Sequence, residues 1–131
     1  MEKTYWRFHN AHPKGLLVGD CVKRAITTAT DKDYMDVQRA LNRMKKITHC
    51  AKFNEDRNYH SYLTSELHMS KTTYPAEKGK PRMNGKRFCD SHPNGSYILV
   101  MAGHLTACKD GIIYDTWDCT EKCVYGSYKV I

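Results

Sequence analysis

Three side chains spread along the sequence have the types needed for one reaction: the Cys21 thiol, the His104 imidazole and the Asp115 carboxylate. A thiolate attacks a carbonyl carbon, and an imidazole takes the thiol proton and later returns one to the leaving group. A carboxylate fixes the tautomer and orientation of that imidazole. A helix N-terminus and a neighbouring imidazolium both raise the thiolate fraction. Cys21 stands in "GLLVGDCVKRAI", where Gly19 and Asp20 break the chain just before it. After it, Val22, Ala25, Ile26 and Ala29 follow the i, i+3, i+4, i+7 face of an amphipathic helix. The spacing predicts a helix over residues 21–29 with Asp20 as its N-cap, Cys21 in its first turn, and Lys23, Arg24, Thr27 and Thr28 on the outer side. The first backbone N–H groups are then free to bind an oxyanion.

Whether His104 meets Asp115 depends on a hairpin. Asp110-Gly111 is a strong two-residue turn signal. Such a loop pairs Lys109 with Ile112, Cys108 with Ile113, Ala107 with Tyr114 and Thr106 with Asp115. Leu105 then faces Thr116, and His104 faces Trp117. Strand alternation puts 104, 106 and 108 on one side with 113, 115 and 117. Asp115 is therefore diagonal to His104, within hydrogen-bond reach. Trp117 falls beside the ring, as core packing, as a shield for the His–Asp bond or as a substrate contact. A bulge at Gly103 would alter this register. A cysteine at a helix start is by itself more often a buried thiol, and a strand histidine more often structural. The shared face and the order Cys, His, Asp raise the catalytic reading above those alternatives.

The elements that must position these groups are uneven in clarity. "TYWRFH" reads as a short strand or extended arm, and "NAHPKG" as a loop. A second helix is expected over residues 33–48, with Tyr34, Val37, Leu41, Met44 and Ile47 inward. Its acidic start and its Lys45-Lys46 end suit the helix dipole. The stretch 49–95 is the least legible, with a short helix in "HSYLTSELHMS", an exposed loop over 75–87 and one helical turn in "KRFCDSHPNG". "SYILVMAGHLTACK" reads as one long strand, "IIYDTWD" as its return and "CVYGSYKVI" as a third. Helices followed by antiparallel strands predict an α+β fold with the first helix packed on the sheet.

Composition bounds the function. The 131 residues make one domain, residues 1–131, with room for one modest core. No apolar run approaches the roughly 18 residues that span a bilayer, and "MEKTYWRFHN" lacks the apolar segment of a secretory signal. A cytoplasmic protein without membrane association is expected. Six cysteines in such a chain are read as thiols rather than disulfides. The net charge of +7 thickens in "KGKPRMNGKR", a solvated loop or an anion-facing patch. It has no interleaved aromatics, so nucleic-acid binding is not indicated. Zinc is the rival use of these residue types, because Cys89 and His92 form C-x-x-H while Cys119 and Cys123 form C-x-x-x-C. The spacing matches no recognised knuckle, and the preferred reading needs neither metal nor cofactor.

Two long segments, "FHNAHPKGLLVGDCVKRAITTATDKDYMDVQRALN" and "CDSHPNGSYILVMAGHLTACKDGIIYDTWDCTEKCVYGSYKV", resemble a group of small proteins encoded by phages and prophages. The group shares a G-D-C-V-x-R-A-I motif, then H-L-T, D-G and Y-D-T-W-D. The likeness fades between about residues 50 and 85. It implies a papain-like cysteine peptidase core, N-terminal helices packed on a C-terminal antiparallel sheet, with the nucleophile at Cys21, the base at His104 and the orienting acid at Asp115. Papain-like enzymes usually place a Gln six residues before the cysteine. Gly15 stands there, which leaves Asn10 and the Cys21 backbone N–H as oxyanion donors. The implied activity is a phage-encoded peptidase or amidase acting on a protein or peptide, including a host protein, in the host cytoplasm. A peptidoglycan-cleaving subtype fits the basic charge, and a non-enzymatic protein that binds a host defence or regulatory factor fits the small size.

Overall fold

The structure, a computed structural model, describes residues 3–130. It is α+β. In chain order it has β1 (Trp6–Phe8), α1 (Cys21–Thr30), α2 (Tyr34–Thr48) and α3 (Asp56–Ser61), which runs into a π-helical turn at Tyr62–Glu66. Then come β2 (Ser70–Thr73), α4 (Gly85–Ser91), β3 (Ser96–Met101), β4 (His104–Lys109), β5 (Ile112–Asp115) and β6 (Val124–Lys129). The six strands form one sheet in the order β1-β5-β4-β3-β6-β2. No helix among the described residues is long and apolar enough to cross a membrane.

The sheet is mixed, not the purely antiparallel C-terminal one expected. β1 comes from the N-terminus and lies parallel to β5, while β2 comes from the middle of the chain and borders β6. The expected long strand is also two strands. Met101 pairs with His104 across a tight turn at Ala102-Gly103, where Gly103 has φ +61°. That conformation suits glycine, which has no Cβ to clash. The turn makes His104 the first residue of β4 rather than an interior one. The third expected strand, β6, pairs with β3 and not with β5.

Strand alternation divides the core. Leu105 and Ala107 of β4 face α1, where Val22, Ala25, Ile26 and Ala29 are all buried as their spacing predicts. Cys108 of β4 and Ile113 of β5 face the other way, against Phe88 and Cys89 of α4. In α2, Tyr34, Val37, Leu41 and Met44 are buried, but Ile47 is 62% exposed. It lies in the last turn, beyond the edge of the packed surface. In α1, Arg24 and Thr28 are buried rather than outward, because this helix is covered on two sides.

Candidate active site

The hairpin expected at Asp110-Gly111 forms, with φ +50° and +77° at the two turn residues. Its pairs Lys109–Ile112, Cys108–Ile113 and Ala107–Tyr114 are the expected ones, and the ladder ends there. His104 Nε2 lies 2.7 Å from Asp115 Oδ2. Both residues are buried, and the Trp117 ring sits 4.9 Å from the imidazole, tilted by 50°. Trp117 is 44% exposed, so it forms an outer cover over the His104 imidazole.

Cys21 is the first residue of α1 and is half-buried. It shares a cleft of about 480 Å3 with His104, Leu105, Tyr59, Val100 and Tyr125. Burial pushes its thiol up, but hydrogen bonds from His104 and the Leu105 backbone, with the charges of His104 and Arg24, outweigh this and leave it below its ordinary value. His104 changes in the complementary direction. Burial alone would depress its imidazole, yet hydrogen bonds to Asp115, Cys119 and Cys21 push it up to about 11. The Asp115 carboxyl is raised by burial but held down overall by the His104 hydrogen bond and charge and by the Thr116 N–H. Both shifts run toward the charged form of the group, and the Asp115 carboxylate braces the imidazole. With Nε2 committed to Asp115, Nδ1 is the ring nitrogen left for the thiol.

Asp115 is itself held from several sides. Its backbone carbonyl accepts from the Trp6 indole at 3.2 Å and from the His9 N–H at 2.9 Å, so β1 fixes its position. Its Oδ1 accepts from the Thr116 N–H at 2.7 Å and lies 3.5 Å from Arg24 Nη2. Arg24 also pairs with Asp20, and Asp20 Oδ2 accepts from the Tyr34 hydroxyl at 2.7 Å. The sequence reading missed this buried chain. The i,i+4 spacing of Asp20 and Arg24 was its one visible signal. Asp20 does occupy the N-cap position of α1, but no side chain caps that helix, because the Asp20 carboxylate is turned to Arg24 and Tyr34. The first-turn N–H groups beside Cys21 therefore keep their hydrogen-bonding capacity.

No protein-family model, curated protein or solved structure matches this chain.

The remaining expected site residues fall elsewhere. Asn10 Nδ2 donates to the Leu16 carbonyl at 3.0 Å and Oδ1 accepts from the His12 N–H, so its amide braces the N-terminal loop. It lines a separate groove with Thr27, Lys32 and Tyr114, not the cleft that holds Cys21. The four residues of the zinc alternative do not converge. Cys89 Sγ lies 3.7 Å from Cys108 Sγ in the second core, and His92 stacks on Phe88 at 3.8 Å. Cys119 instead donates to Asp115 Oδ2 at 3.6 Å. Among the described residues, the three-residue group whose donor atoms could surround a metal is His104, Asp115 and Cys119. The Cys89 thiol beside it, and then burial, push the Cys108 thiol up.

Proposed function

We propose that this protein is a papain-like thiol hydrolase, a peptidase or amidase, in which Cys21 is the nucleophile, His104 the general acid–base and Asp115 its orienting partner. The observation that carries this reading is the 2.7 Å His104–Asp115 bond beside a cleft that His104 shares with Cys21, the first residue of an uncapped helix. The Cys21 thiolate adds to an amide carbonyl carbon, and the oxyanion is received by the first-turn N–H groups of α1. The tetrahedral intermediate collapses as the His104 imidazolium protonates the departing amine, leaving a thioester on Cys21. His104, now neutral, takes a proton from water as the water oxygen attacks the thioester. This second tetrahedral intermediate expels the Cys21 thiolate as its C–S bond breaks, the acid departs, and the proton taken from water stays on His104 and restores the starting pair.

The cleft beside Cys21 carries Asp56 and Lys71 along its wall, which suits a polar, extended substrate such as a peptide. The phage resemblance makes the infected host's cytoplasm the natural setting. Competitive alkylation with iodoacetamide at mildly acidic pH tests the reading. Cys21 is expected to react far faster than the other five thiols, and equal rates would end the proposal. Loss of turbidity in a cell-wall suspension would assign the peptidoglycan subtype.

One observation favours a second reading, a binding protein. Leu16, Leu17 and Val18 form an exposed apolar run just before Cys21, with Leu17 at 73% exposure. If Cys21→Ala leaves the biological effect intact, binding rather than hydrolysis is the function.

A further inference from the structure

Cys119 is a buried thiol that the hydrolytic cycle does not use, and it lies against the base. We infer that His104, Asp115 and Cys119 form a site for a divalent ion with zinc's ligand preferences, and that this ion competes with the proton for the catalytic imidazole.

The donor atoms argue for it. His104 Nε2 and Cys119 Sγ both contact Asp115 Oδ2, at 2.7 and 3.6 Å, and the three donor atoms lie within 4.8 Å of one another. An imidazole nitrogen, a carboxylate oxygen and a thiolate sulfur are all ordinary zinc ligands. At usual bond lengths a tetrahedral zinc holds such atoms about 3.3–3.6 Å apart. Cys119 is already at that spacing from Asp115, and the His–Asp contact must open from 2.7 Å by roughly 0.6 Å or more.

Charge balance also favours the ion. Binding releases the Cys119 thiol proton and the His104 Nε2 proton. One carboxylate and one thiolate then cancel the two positive charges, so the buried site is neutral. Asp115 Oδ1 stays oriented by the Thr116 N–H and Arg24. Three protein ligands leave a fourth position for water, the pattern of an exchangeable rather than a structural zinc. Trp117, nearly half exposed and packed on the His104 ring, is the cover through which the ion passes.

The regulatory consequence rests on the thiol-hydrolase reading, but the binding does not. An ion on Nε2 leaves Nδ1 as a fixed N–H and takes Asp115 as a ligand. The imidazole can then no longer accept the thiol or water proton, and hydrolysis stops until the ion leaves.

Cobalt(II) titrated into the full chain with a phosphine reductant is the test. The expected result is a thiolate-to-cobalt charge-transfer band that saturates at one ion per chain. The band should be lost in Cys119→Ser and His104→Gln and kept in Cys21→Ala. Zinc should displace the cobalt and raise the melting temperature of the wild type but not of Cys119→Ser. Absence of the band, its survival in Cys119→Ser, or its loss in Cys21→Ala would overturn the site. The melting comparison guards against a serine variant that fails to fold. The two readings fail separately. Rapid ion-free alkylation of Cys21 without a cobalt band sinks only the site, and a Cys119-dependent band with an ordinary Cys21 sinks only the hydrolase.

Discussion

Helices α1 and α2 each begin after an aspartate, and the two aspartates do opposite work. Asp33 caps α2, accepting from the Met35 and Asp36 N–H groups at 3.0 and 3.2 Å. Asp20 sits at the matching position of α1 but accepts from Arg24 and Tyr34 instead. One helix start is closed by its own side chain, and the other is left open beside a thiol. An aspartate at a helix start is therefore a local stabiliser in one place and part of a tertiary brace in the other. The open start is where a developing negative charge would sit.

The largest effect that sharpens this contrast is at the open end. Cys21→Ala should reduce amide hydrolysis to background while the circular dichroism and the melting temperature stay near wild type. Arg24→Met should come next. It leaves Asp20 buried without its cation, and breaking such a pair costs about 3–5 kcal/mol. Urea unfolding would read this, and Cys21 alkylation should slow as Asp115 loses one of its supports. An Arg24→Met protein as stable as wild type would break the comparison.

A pH series has an intermediate effect. The Cys21 alkylation rate should rise at lower pH than that of an ordinary thiol, while His104 keeps its proton up to about 11. Stability should follow the same pair. The folded His104 is raised above its ordinary 6.5, so its contribution is complete below that value and is lost as pH rises through about 11. Asp115 is held below its ordinary 3.8, so its contribution is present above that value and fades as pH falls further. A Cys21 profile that rises like that of a free thiol would contradict the ion pair. The smallest effect belongs to the closed end. Asp33→Ala should cost about 1 kcal/mol of stability as an ordinary lost cap, with hydrolysis unchanged.

The site was more legible than the sheet around it. Asp110-Gly111 dictates a two-residue turn, and counting back from it places Asp115 diagonal to His104, where the 2.7 Å bond lies. That inference needed only local turn chemistry and the two-residue period of a strand. The second hairpin was hidden because Ala102-Gly103 interrupts a run of apolar residues without a recognised turn pair, so two strands read as one. β2, "SKTT", is exposed at all four positions and shows no alternation of polarity, because an edge strand with neither face buried has none to show. Arg24 was assigned to the solvent side by its type, yet it is 8% exposed. Its burial depends on two carboxylates, one of them at Asp115 on another element, which helical periodicity cannot reveal. Asp20 holds the expected N-cap position, but its side chain does not cap for the same reason, since its competitors Arg24 and Tyr34 become neighbours only once α1 and α2 pack.

The wide separation between the attacking group and its activators has a consequence for synthesis. During translation the segment carrying Cys21 leaves the ribosome well before the one carrying His104 and Asp115. Until that last ribbon docks, the sulfur has no proton acceptor and behaves as a common thiol. On the proposed reading, the thiol is activated only once that ribbon is in place.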